Sequence, residues 1–171
     1  MNLATLTSPE AIICTEEISS KKRAVEKLAG LLADVNPQLN HDQIFDALME
    51  RERLGTTALG KGVAIPHCRL ADMEQASIAL VKIDTGINYD APDGLPVDIL
   101  FALVVPEEST EEHLEILATL AELLSDSQFL ARLRDQHEAA SLYQYLSDTA
   151  ERFAQQEHAA ATPVISAQQA S

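Results

Sequence analysis

The chain has 171 residues, a length that suits one domain with a single hydrophobic core. Hydrophobic residues make up 46% and charged residues 23%; no apolar run approaches the ~20 residues that span a bilayer, so no membrane insertion is expected. The formal net charge of −15 argues against nucleic acid as a partner, because that affinity comes chiefly from basic side chains neutralising phosphates.

The first residues, MNLATLTSPEAIICTEE, lack the basic start and long apolar stretch of a secretion signal. Only Cys14 and Cys68 occur, without CxxC spacing, so no disulfide scaffold is expected and the expected location is cytoplasmic. KKRAVEKLAGLLADV spaces Val25, Leu28, Leu32 and Val35 as one face of a helix that stops at Asn36-Pro37. NHDQIFDALMERERL predicts a second helix, with Ile44, Phe45 and Leu48 inward, an Asn40/Gln43 capping box and Gly55 as its end signal. GVAIP predicts a short strand closed by Pro66. ASIALVKI and VDILFALVV predict longer strands, the second apolar enough to be covered on both faces. EESTEEHLEILATLAELLSD predicts a long helix with a Ser109/Glu112 capping box, and SQFLARLR and EAASLYQYLSD two short helices. The expected fold is α/β: a single domain, residues 1–148, with a central mixed β-sheet flanked by α-helices. Residues 149–171 form an Ala/Gln-rich tail expected to be disordered or weakly helical.

Charge is unevenly spread. Between Lys82 and Arg132 there is no Lys or Arg against eleven acids, whereas Arg51, Arg53, Lys61 and Arg69 cluster around one glycine-rich stretch. Acids at a surface serve solubility; this pattern also suits a small anion site in a protein that steers a basic partner. The stretch, GTTALGKGVAIPH, is one letter short of a phosphate-binding P-loop, with Gly62 where a Ser or Thr should hold magnesium. A P-loop joins a strand to a following helix, and here a helix precedes and a strand follows, so that reading fails. What remains is a glycine turn that leads to Pro66-His67, with Thr56 and Thr57 as hydroxyl donors.

A second histidine strengthens that site. At 100° per residue, His113 falls in the middle of the arc of Leu117, Leu120 and Leu124, so its helix aims an imidazole inward from the first turn. Two histidines, an arginine and threonine hydroxyls suit a phosphohistidine site, one imidazole attacking phosphorus and the other groups holding the equatorial oxygens. Taken singly, each histidine also fits a hydrogen-bonded structural role. No cofactor is expected. A metal site of His67, Cys68 and His113 is not expected either, since adjacent strand residues point to opposite faces.

ERERLGTTALGKGVAIPHCR, residues 50–69, resembles the active-site segment of the fructose/mannitol-type IIA components of the bacterial phosphoenolpyruvate phosphotransferase system (EIIA type 2), most of all their nitrogen-regulatory branch. The similarity continues through PVDILFALVVPEESTEEHLEILATLAELLSD and LYQYLSD, over residues 8–148. The resemblance implies that His67 is the phosphoryl acceptor, as a tele-phosphohistidine, and that His113 and Arg51 support the phosphate. Thr57 matches a loop threonine, and Thr56 stands where serine is more usual. Lys61 is not a motif residue, and Cys68 receives no role. The implied donor is an HPr-like histidine phosphocarrier protein, and the implied readout is regulation of targets such as potassium transport or sensor proteins. No fused IIB or IIC domain is expected. A sugar-specific IIA passing phosphate to a separate IIB, or a binding module on the same fold that no longer transfers phosphate, are the alternatives.

Overall fold

The apolar run Val97–Pro106 forms β6, the strand that organises the sheet. Its side chains alternate between two cores: Leu100, Ala102 and Val104 enter one, Ile99, Phe101, Leu103 and Val105 the other. Each fully buried Leu, Ile or Phe here stabilises the fold by about 1.5–3 kcal/mol relative to exposure. The computed structural model describes residues 2–152 and 155.

β1 (Ile12–Thr15) lies parallel to β5 (Ser77–Ile87), which runs antiparallel to β6. On the other side of β6, β3 (Val63–Ala64) and β4 (His67–Leu70) both pair with it in parallel. Val63 faces Ile99 and His67 faces Leu103 at the same offset, so β3 and β4 are one strand line interrupted at Ile65-Pro66. β2 (Ala58–Gly60) pairs antiparallel with β3 and completes the sheet.

Helices α1 (Lys21–Val35) and α2 (His41–Arg53) cover the first core. The second is covered by α3 (Thr110–Leu124), α4 (Ser127–Arg134) and α5, residues 139–152. The expected α/β domain with a mixed sheet between helices is therefore present, and VDILFALVV is indeed buried on both faces.

Some local expectations need correction. The strand expected to close at Pro66 resumes at His67, because Pro66, which has no N–H, still accepts from the Leu103 N–H at 2.9 Å and keeps the line in register. The Asn40 side chain caps α2 by accepting the Gln43 N–H at 2.7 Å. Ser109 makes no such bond: its backbone is turned away from the extended geometry of a cap (φ −93°, ψ 60°), so the expected box with Glu112 is absent. α5 runs past residue 148, with Leu142, Leu146 and Ala150 buried at helical spacing. Apart from residue 155, the rest of the expected tail lies outside the described residues.

Candidate active site

Ile44, Leu48 and Glu52 recur every fourth residue on the buried face of α2, so the apolar stripe of that helix ends in a carboxylate. The Glu52 side chain is 2% exposed and fully occupied. Oε2 pairs with Lys21 Nζ at 3.0 Å and accepts the Thr57 N–H at 3.3 Å. Oε1 accepts the Thr57 hydroxyl and, at 3.0 Å, the Tyr89 hydroxyl. Lys21 Nζ also sits 4.4 Å from the centre of the Tyr89 ring. A buried carboxylate is tolerable only when paired and hydrogen-bonded in this way.

β2 and β3 join through Lys61-Gly62, both at positive φ (58° and 82°), as in the tight hairpin turns that match strand twist. A Cβ on Gly62 would stand 2.6 Å from Arg134 Nη2 and 2.7 Å from Asp98 Oδ1, so a larger residue would have to displace that ion pair and also adopt a positive φ. Arg134 donates to the Lys61 carbonyl at 2.6 Å and to both Asp98 oxygens, which fastens the turn to α4. No helix follows the glycines, which removes any basis for a P-loop.

The hairpin lacks one rung. Ala58 pairs with Ala64, so Thr57 and Ile65 are the next pair and should exchange two hydrogen bonds. One is made, Ile65 N–H to Thr57 O at 3.0 Å. The Thr57 N–H goes to Glu52 instead, and the Ile65 carbonyl accepts from His67 Nδ1 at 2.8 Å. A carbonyl only accepts, so Nδ1 carries the proton and Nε2 of the neutral ring keeps its lone pair.

Strand alternation then assembles the second half of the site. Cys68 and Leu70 of β4 enter the core under α1 and α2, so His67 and Arg69 face α3. His113, in the first turn of α3, is 6% exposed and its ring lies 5.3 Å from that of His67, edge to face. Arg69 Nε donates to His113 Nδ1 at 3.1 Å. An arginine only donates, so neutral His113 carries its proton on Nε2, a buried atom with no partner among the described residues.

Both rings are biased towards neutrality. Burial pushes the His67 pKa below its usual 6.5; the Arg51 and Arg69 charges push the same way, against the Ile65 carbonyl and Glu52. Burial likewise lowers that of His113, helped by the charges of His67 and Arg69. The pair thus offers a lone pair on one ring and an N–H donor on the other.

A family model described as phosphoenolpyruvate-dependent sugar phosphotransferase system, EIIA 2, matches residues 5–149. The chain belongs to this family. Among EIIA type-2 relatives, a nitrogen regulatory protein of Pseudomonas aeruginosa is 45% identical over 129 residues, 75% of this chain and 84% of its own. One from Bradyrhizobium diazoefficiens is 39% identical over 147 residues, 86% and 95% of the two chains. The crystal structure of nitrogen regulatory protein IIA-Ntr from Neisseria meningitidis superposes with a TM-score of 0.78 at 38% identity, covering 84% of this chain and 98% of that one.

Of the residues singled out in this EIIA type-2 sequence, His67 and His113 meet directly, and Arg51 is near enough for its charge to act on His67. Arg51 also donates to the Gly55 carbonyl at 3.0 Å, at the start of the glycine loop. The threonine hydroxyl protons are already donated: Thr57 gives its own to Glu52 and Thr56 to the Tyr89 carbonyl. They brace the loop in this state. Cys68 is buried on the opposite face, its thiol pushed up to about 12 by burial. Among the described residues no group of three or more His, Cys, Asp and Glu is placed to hold a metal ion. Glu52 and Tyr89 are the site residues that sequence reasoning missed, and Arg69 was counted only among the basic residues around the glycine stretch, with no role of its own. Glu52 was visible as the polar member of the Ile44–Leu48 stripe, and Arg69 as the strand residue two beyond His67.

Proposed function

We propose that this EIIA type-2 chain is a phosphoryl carrier that accepts its phosphoryl group on Nε2 of His67, the tele position. The observation that carries the reading is the pair of fixed tautomers: Nδ1–H of His67 is bound to Ile65, and His113, with an unpartnered N–H on Nε2, has its ring 5.3 Å from that of His67. The donor is an HPr-like histidine phosphocarrier. As the His67 lone pair forms the new N–P bond, the donor's N–P bond breaks and its electron pair stays on the donor imidazole. The His67 Nδ1 proton remains in place, so the transfer itself moves no proton.

The transferred group carries negative charge on three oxygens, and stabilising it is mostly a matter of positioned donors. His113 Nε2–H supplies one such donor and Arg51 a cation. The first turn of α3, which has no side-chain cap from Ser109, adds the positive end of a helix dipole. Similarity to the nitrogen regulatory proteins supports the regulatory branch, and in our reading the phosphorylation state controls partner proteins such as potassium transport or sensor proteins. No described helix is long and apolar enough to cross a membrane, and we place the carrier in the cytoplasm.

Incubation with labelled phosphoenolpyruvate, enzyme I and the phosphocarrier tests the reading. One acid-labile phosphate per chain is expected, on Nε2 by nitrogen and phosphorus NMR. Absence of label, or label that survives His67→Ala, would overturn it.

A further inference from the structure

The first-turn histidine of α3 is useful to a phosphoryl group only in one tautomer. With the proton on Nε2, that buried and unpartnered atom is a donor; with the proton on Nδ1 it would present a lone pair that repels phosphoryl oxygens. Nothing on α3 makes that choice, because among the described residues the only partner of His113 Nδ1 is on the sheet: Arg69 Nε, at 3.1 Å. The guanidinium is always protonated and has no acceptor, so this contact admits a single state of the neutral ring.

We propose that Arg69 is a positioning residue for phosphoryl transfer, which fixes His113 as the Nε2–H tautomer by donating to its Nδ1. The inference rests on the reading of His67 as acceptor, and it adds a residue that acts through His113 rather than on phosphorus. Three features converge on it. Strand alternation puts His67 and Arg69 on the same face of β4, opposite Leu103 and Val105 of β6. His113 Nε2 is buried and otherwise unpartnered, so its N–H is held in reserve for a group that arrives later. The remaining guanidinium nitrogens of Arg69 make no hydrogen bond to the described residues, so its only polar anchor among them is the imidazole it orients.

The test is made first on the unphosphorylated protein. Ring-nitrogen NMR at pH 7.5 should show His113 protonated at Nε2 and unprotonated at Nδ1. In Arg69→Met the tautomers of His113 should mix while His67 keeps its Nδ1–H, since its partner is main chain. Phosphoryl transfer from the phosphocarrier should slow about tenfold in kcat, with KM for the phosphocarrier unchanged, less than losing the donor itself. Arg69→Lys, which restores an N–H donor, should recover most of both signals. An unchanged His113 tautomer in Arg69→Met, or unchanged transfer, overturns the proposal. A rise in KM with kcat intact would make Arg69 a docking residue and overturn it equally. Because the NMR signature does not require phosphorylation, it separates this failure from failure of His67 as acceptor.

Discussion

The two histidines of the site are held by different kinds of partner. His67 is tied to the main chain through the Ile65 carbonyl, whereas His113 is tied to a side chain, Arg69. A backbone acceptor survives any substitution that leaves the fold intact, so the ring of the proposed phosphoryl acceptor is protected against most point changes. The supporting ring depends on one residue and can be retuned by it. The chemistry therefore has a rigid half and an adjustable half.

His67→Ala removes the rigid half and should abolish labelling altogether, read as loss of acid-labile phosphate on a gel. His113→Ala removes the adjustable half and should slow transfer about 100-fold, the range seen when one oxyanion donor is lost, while labelling stays at His67. Rapid-quench rates decide between slower transfer and none; equal losses in the two variants would erase the distinction. Glu52→Ala attacks the support behind the rigid half. It strips Lys21, Tyr89 and the Thr57 N–H of their shared acceptor, and thermal or urea unfolding should show a loss of about 3 kcal/mol. A loss below about 1 kcal/mol would mean the buried carboxylate is dispensable.

Arg51→Gln should have a smaller effect, about tenfold on transfer, since a cation near the site is lost but both tautomers stand. The smallest effect is on titration. Followed by NMR, His67 should titrate below its usual 6.5, because burial and the nearby arginines disfavour the imidazolium. The neutral form, proposed as the phosphoryl acceptor, is then present above that midpoint and lost as pH falls through it. Arg51→Gln should move the midpoint up, since one of those cations is gone; a midpoint at or above 6.5 in the unchanged protein would contradict the burial seen here.

Much of this was legible in the sequence because apolar periodicity is a strong signal: α1, α2, β5, β6, α3 and α4 follow from it. β1 and β4 were not, because IICT and HCRL are too short and too mixed to show alternation, and Pro66 reads as an end when it is an interruption. His67 and His113 were recognisable as a pair from the glycine stretch and the helix arc. Glu52 was masked by the charged neighbours of RER, although its spacing from Leu48 marked it as buried. The threonines show the opposite limit: composition says that a hydroxyl is present but not which way it is turned, and here both serve the loop. Ser109 likewise had the right residue for a cap without the backbone angles to make one.

The missing rung between Thr57 and Ile65 sets a conflict between robustness and readiness. Restoring it would add a ladder hydrogen bond to the hairpin, the kind of repair a search for thermostable variants rewards. The same repair would draw the Thr57 N–H away from Glu52 and make it compete with His67 for the Ile65 carbonyl. Variants selected only for heat resistance should thus drift towards a tidier sheet and a poorer phosphoryl acceptor.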